Sequence, residues 1–165
     1  MSDESKVSVT GSFCFRSLVV RSVLRAGWKL LCRQRCESII GVEVLGDDRF
    51  RSRLRETEAF IRDNPDWGGQ HWDSLVSGYM LCKVPKGFQV LLDSRIIFVP
   101  DAYIDEGPHA VILLLVFSYN LQLQRSLGLP KCEYYRKAIH LTAEWMHEHE
   151  FSVEYINYWK KTYLK

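Results

Sequence analysis

Between Gly107 and Leu129 the chain runs for 23 residues with Arg125 as its sole Lys, Arg, Asp or Glu. Within that stretch Ala110 to Phe117 is apolar without a break, so a helix made from it has no polar side to turn toward water and must be buried all round. Gln122, Gln124 and Arg125 let its later turns surface, and Gly128-Leu129-Pro130 stops it. A helix of this kind needs other elements on several sides. The run from Ala110 to Phe117 is well short of the roughly 18 residues a membrane-spanning helix requires, so this is a core helix. With 165 residues, 47% hydrophobic and 25% charged, the chain has the length and composition of one domain with a packed core, and disordered or low-complexity classes are excluded.

The remaining elements follow from periodicity and punctuation. Residues 1–12 are expected to be flexible. From Leu18 to Arg35, Val20, Val23, Leu24 and Leu31 recur at three- and four-residue steps, while Arg21, Arg25, Lys29 and Arg33 step by four along the other side, which predicts a basic amphipathic helix. Ser38 to Leu45 reads as one short β-branched strand. Asp47 or Asp48 then caps a surface helix from about Arg49 to Arg62, stopped by Asn64-Pro65-Asp66. Gly78 to Val84, Gly87 to Leu92 and Arg95 to Val99 are three short apolar runs joined by tight links, which predicts a small antiparallel sheet. Two further helices follow the long one, Tyr134 to His149 and Ser152 to Leu164, the second behind a capping serine. The predicted fold is a single α+β domain: an N-terminal basic helix, a small antiparallel β-sheet and a C-terminal bundle of two or three helices over 107–165.

Net charge is only +2, and it is unevenly placed. Residues 1–36 hold seven basic side chains against two acids, so the rest of the chain sums to −3. The stripe Arg21, Arg25, Lys29 and Arg33 is therefore the candidate binding site for an anionic partner, because four cations in line can track phosphates or anionic headgroups. Against that stands a solvated face that meets the protein's own acids, Glu56 and Glu58 among them. Five cysteines without a Cys-x-x-Cys pair suit reduced thiols, and with no secretory pattern at the N-terminus this predicts an intracellular protein, cytoplasmic or nuclear.

In the C-terminal half, Tyr119-Asn120-Leu121, Leu123, a Gly-containing turn at Gly128, and Lys137-Ala138-Ile139 with Leu141 resemble the helix-turn-helix unit of the tetratricopeptide repeat, in which small and apolar residues at such offsets let two antiparallel helices pack closely. The stretch from Gly87-Phe88 to Ala138-Ile139, with Arg95-Ile96-Ile97 ahead of Ala110-Val111-Ile112-Leu113, is similar to a group of uncharacterised diatom proteins that place a short strand before such a hairpin. The resemblance implies a degenerate hairpin built on Tyr119, Asn120, Leu121, Leu123, Ala138 and Ile139. It departs from the repeat at Gln122, where a small packing residue is usual, at Arg125, which replaces an aromatic, and at Trp145, which replaces a small residue. One such unit does not make a superhelical groove, since about three stacked repeats are needed to bury a solenoid core.

No motif points to a reaction. His140, His147 and His149 lack the spacing of a metal-binding helix, and Cys32 with Cys36 makes no zinc site without further ligands, so no metal and no cofactor are expected. His71 and His109 read as surface or capping residues. There is no glycine-rich phosphate loop and no nucleophile elbow. The leading function is a non-enzymatic module that binds another protein through the hairpin. Nucleic-acid binding by helix 18–35 is the second reading, and an enzyme whose site is assembled from distant residues is the third.

Overall fold

The structure is a computed structural model and describes residues 18–27, 37–68, 78–87 and 89–164. Helix α1 spans residues 18–27, and the remainder of the predicted basic helix, Lys29 and Arg33 included, lies outside the described residues, as do residues 1–12. Strands β1 (Glu37–Ile39) and β2 (Val42–Leu45) follow, then α2 (Asp48–Asp63), the single turn α3 (Pro65–Gly68), β3 (Met80–Val84), β4 (Gln89–Leu91) and β5 (Ile96–Pro100). The chain ends in four helices: α4 (Asp101–Glu106), α5 (Pro108–Ser126), α6 (Lys131–Glu148) and α7 (Val153–Tyr163). The α+β class is the predicted one.

The sheet is mixed, and this corrects the antiparallel arrangement. Strand order is β1-β2-β3-β5-β4; the outer pairs β1–β2 and β4–β5 are antiparallel, whereas β2–β3 and β3–β5 are parallel. Short links do join antiparallel neighbours at the edges. The link after β3, however, passes the end of β5 instead of folding back, so β5 enters between β3 and β4. The predicted strand Ser38 to Leu45 is also two strands, because Ile40 (φ 58°) and Gly41 (φ 74°) form a two-residue turn. Such hairpin turns require two left-handed residues, and a β-branched side chain is strained there. The Ile40 side chain is buried in the main core, and that burial offsets the strain.

Strand alternation gives the sheet two apolar faces. Val44, Leu81, Ile97 and Val90 form one row across β2, β3, β5 and β4, and they pack with Phe50 and Leu54 of α2 and with Val111, Leu114 and Leu115 of α5. On the other face Leu45, Met80, Cys82 and Ile96 pack with Leu24 of α1. Helix α5 is buried on most sides, as its charge-free sequence demands: the sheet lies against one flank, and on the other Leu113, Phe117 and Leu121 meet Ala138, Ile139 and Met146 of α6 and Ile156 and Trp159 of α7. Gly107 (φ 104°, ψ −170°) turns the chain from α4 into α5 in a conformation essentially confined to glycine. Helix starts follow the expected chemistry: Asp47 accepts a hydrogen bond from the Phe50 backbone N–H, and Ser152 from that of Tyr155.

Candidate functional site

Of the basic stripe, Arg21 and Arg25 lie among the described residues, and both are half-buried. In α1 the outward residues are Leu18, Val19, Val20, Ser22, Val23 and Ala26, none of them charged, with Val23 65% exposed. Arg21, Leu24 and Arg25 are the half-buried side. Arg25 grips both carboxylate oxygens of Glu43 through Nε and Nη2, and Arg21 Nε is shut away without an acceptor. The predicted orientation is thus reversed for Val20 and Val23. The cause is Glu43: it stands in the row of Met80 and Ile96 on the sheet face that α1 covers, and a half-buried carboxylate there needs a cation. Neither Glu56 nor Glu58 is that partner; Glu56 pairs with Arg53, and Glu58 accepts from the Ile40 N–H.

The hairpin residues divide between two tasks. Asn120, Leu121, Ala138 and Ile139 come together where α5 meets α6. Asn120 Nδ2 donates to Thr142 Oγ1 at 3.0 Å, and that hydroxyl donates to the Ala138 carbonyl at 2.7 Å. The Asn120 amide therefore holds a side chain of the facing helix. Ala138 is wholly buried, leaving room for close helix approach. Tyr119 turns instead toward the sheet-side core, and Leu123 is exposed.

The departures from the repeat pattern have a physical reason. Gln122 accepts a hydrogen bond from the Tyr79 hydroxyl, and Arg125 pairs with Asp93, so both fasten α5 to the sheet region. Trp145 belongs to an aromatic cluster with Trp67, His149 and Phe151. His149 is held there by Nδ1 against the Trp145 carbonyl and Nε2 against the Asp66 carbonyl. His140 and His147 are exposed, and among the described residues no three metal-ligating side chains gather. Cys82 is buried and Cys132 exposed; Cys32, Cys36 and His71 lie outside the described residues.

The described residues also form a concave surface that the motifs do not reveal. A cavity of about 420 Å³ lies between the Pro85-Lys86-Gly87 link, α4 and α7, walled by Tyr103, Tyr155, Tyr158, Trp159 and Tyr163. Tyr163 also borders a second, of about 780 Å³, with Lys131, Tyr135 and Arg136. Lys131 and Tyr135 in turn border a third, of about 240 Å³, beside Tyr134, Phe117 and Leu121. Six of the eight tyrosines of the chain thus line one run of adjoining cavities.

Burial pushes the phenols of Tyr103, Tyr135, Tyr155 and Tyr163 above the ordinary tyrosine range, so they are neutral hydrogen-bond donors at physiological pH. Tyr103 and Tyr163 share a hydrogen bond of 2.5 Å, and Tyr155 donates to Glu106, the only carboxylate among the described residues in the wall of the first cavity. Trp159 is 2% exposed and its Nε1–H meets no acceptor, a condition that costs about 1–3 kcal/mol. The sequence carries one signal of this surface: Tyr155, Trp159 and Tyr163 stand four apart, with Tyr158 beside them. The same spacing fits core residues equally well, and Trp159 does pack on Phe117. The surface offers aromatic area, donors and cations, with no oriented nucleophile and base. Comparison with protein-family models, with curated proteins and with solved structures finds no match.

Proposed function

We propose that this chain is a non-enzymatic protein-interaction module, an adaptor that works inside the cell, and that it binds its partner along the tyrosine-lined face of α4, α6 and α7. The observation that carries the reading is the gathering of six tyrosines and Trp159 around three adjoining cavities. Tyrosine and tryptophan supply large, stiff contact area with a polar tip, and they are enriched where proteins recognise one another. The degenerate tetratricopeptide-like hairpin serves as scaffold: α5 is occupied by the sheet, which leaves α6 and α7 to present the groove. The commitment of Arg25 to Glu43 weighs against the rival reading of a polyanion on α1.

The test is affinity capture from the native cell with the wild-type chain and with Tyr134→Ala/Tyr158→Ala, identified by mass spectrometry. Protein partners held by the wild type and lost by the double variant are the expected result. Partners held equally by both would remove the groove from the account, and nucleic acid as the retained species would replace the proposal with the rival.

A further inference from the structure

Resting on that reading, we infer that the partner enters as an extended segment that adds a strand to the free edge of β4, with an apolar side chain in the third cavity and an acidic residue two positions away beside Lys131. The backbone carries the first argument. The Met80 N–H donates to the Arg95 carbonyl, and polar groups alternate along a strand, so Arg95 and Ile97 turn theirs toward β3 while Ile96 and Phe98 turn theirs toward β4. Their partners there are Leu91 and Gln89. Val90, between those two, therefore points its N–H and C=O away from β5, and among the described residues β4 has no strand on that side. A donor and an acceptor side by side on extended backbone are matched by another extended backbone; a helix spends both groups on itself. Edge strands are commonly blocked by a charge, a proline or a bulge. Gln89-Val90-Leu91 has neither charge nor proline, and its register with β5 is unbroken. At the opposite edge β1 begins with Glu37, and the Ile40 N–H just beyond it is taken by Glu58.

The second argument is what lies beside that edge. The Val90 side chain packs with both helix-side cores, and the cavity of about 240 Å³ next to it is bordered by Phe117 and Leu121 of α5 and by Tyr134 and Tyr135 of α6. A residue opposite Val90 in an added strand projects to the same face of the sheet, so its side chain enters this cavity, and the apolar lining selects an apolar one. Residues two positions away share that face. Lys131 is the sole charged side chain among the described residues of the wall, Arg136 stands at the adjoining second cavity, and no acid lines either. An acidic residue at that spacing complements them. A second copy of this chain does not supply one, because Gln89 to Leu92 is uncharged and Asp93 is held by Arg125.

The experiment titrates the full, isotope-labelled chain with the acetylated, amidated peptide Thr-Glu-Thr-Leu-Thr-Glu-Thr, which sets a glutamate on each side of the leucine and so serves either strand direction. The Val90 amide resonance is expected to move downfield and its exchange with solvent to slow. A copy with serine in place of leucine should bind about tenfold more weakly, and Lys131→Ala, at an exposed position, should weaken the leucine peptide about threefold at low salt. A copy methylated on the leucine nitrogen and on the next threonine nitrogen keeps every side chain and loses the N–H groups that reach the Val90 carbonyl in the two directions; it should leave the Val90 amide unmoved. If it binds as well as the parent peptide, strand addition is overturned and the protein-docking reading stands. Strand addition also falls alone if the parent peptide fails to move Val90 while the wild type still captures protein partners that Tyr134→Ala/Tyr158→Ala loses. Protection of the Val90 amide that rises with protein concentration alone, together with a dimer in sedimentation, overturns the assignment in favour of a second copy. An oligouridylate that moves Val90 while the peptides do not overturns both readings.

Discussion

Replacing Tyr79 by Phe removes one hydroxyl from the junction between the sheet and α5, and its effect should change sign with pH. The ring is 2% exposed, and the hydroxyl donates to Gln122 Oε1. Burial pushes the phenol up to about 12, against a smaller opposing pull from Arg95 and Arg125. An unfolded tyrosine ionises near 10, so the folded chain keeps a proton that the unfolded chain loses. The stability owed to the neutral phenol is therefore fully present below pH 10 and falls as pH rises from about 10 to 12, by about 1.4 kcal/mol per pH unit, or roughly 3 kcal/mol in all. At neutral pH the variant loses one hydrogen bond, a cost of about 1 kcal/mol. The two stabilities should then cross somewhat below pH 11. Urea unfolding followed by circular dichroism at several values between about pH 8 and 11.5 measures this directly. Tyr103, Tyr135, Tyr155 and Tyr163 are raised too and steepen the alkaline loss in both proteins, so the informative quantity is the difference between them. A gap that stays constant across that range would refute the reasoning.

Leu115→Ala should lower stability by about 2–5 kcal/mol in chemical denaturation, because Leu115 is fully enclosed between the sheet and α5's neighbours; a loss under about half a kilocalorie would contradict the core assignment. Ala138→Leu should cost about 1–3 kcal/mol by forcing α5 and α6 apart, and an unchanged urea midpoint would mean that the close approach carries no weight. Gly46→Ala should cost a similar amount, because a methyl group there runs into the Phe50 ring. Pairing it with Phe50→Leu should recover part of that loss if the clash is the cause, and no recovery would point to another one.

How much of the fold is legible in the sequence depends on where the deciding information sits. The interior helix announces itself, because a run without charge has only one place to go. The caps at Asp47 and Ser152 are equally local and equally legible. Ile-Ile-Gly-Val at 39–42 reads as strand by propensity, and only pairing between β1 and β2 makes Ile40 accept a left-handed turn. The insertion of β5 between β3 and β4 leaves no mark in the length of either link. In α1 the periodicity gives two faces and not which one is inside; Glu43, 18 residues after Arg25, decides that. The tyrosine groove draws its wall from a turn, α4, α6 and α7, so nothing short of the folded chain assembles it.

Because α5 contributes Val111, Leu114 and Leu115 to one core and Leu113, Phe117 and Leu121 to the other, the two halves of the molecule have no independent route to melting. An opening that releases α6 and α7 strips one flank of the helix on which the sheet depends, and loss of the sheet strips the other. Backbone amides of β3, β5, α5 and α6 should accordingly exchange with solvent at one shared, global free energy, with no early-opening half. The rings that line these cavities are then held by the cooperative unit itself, and their ordering is completed when the chain folds.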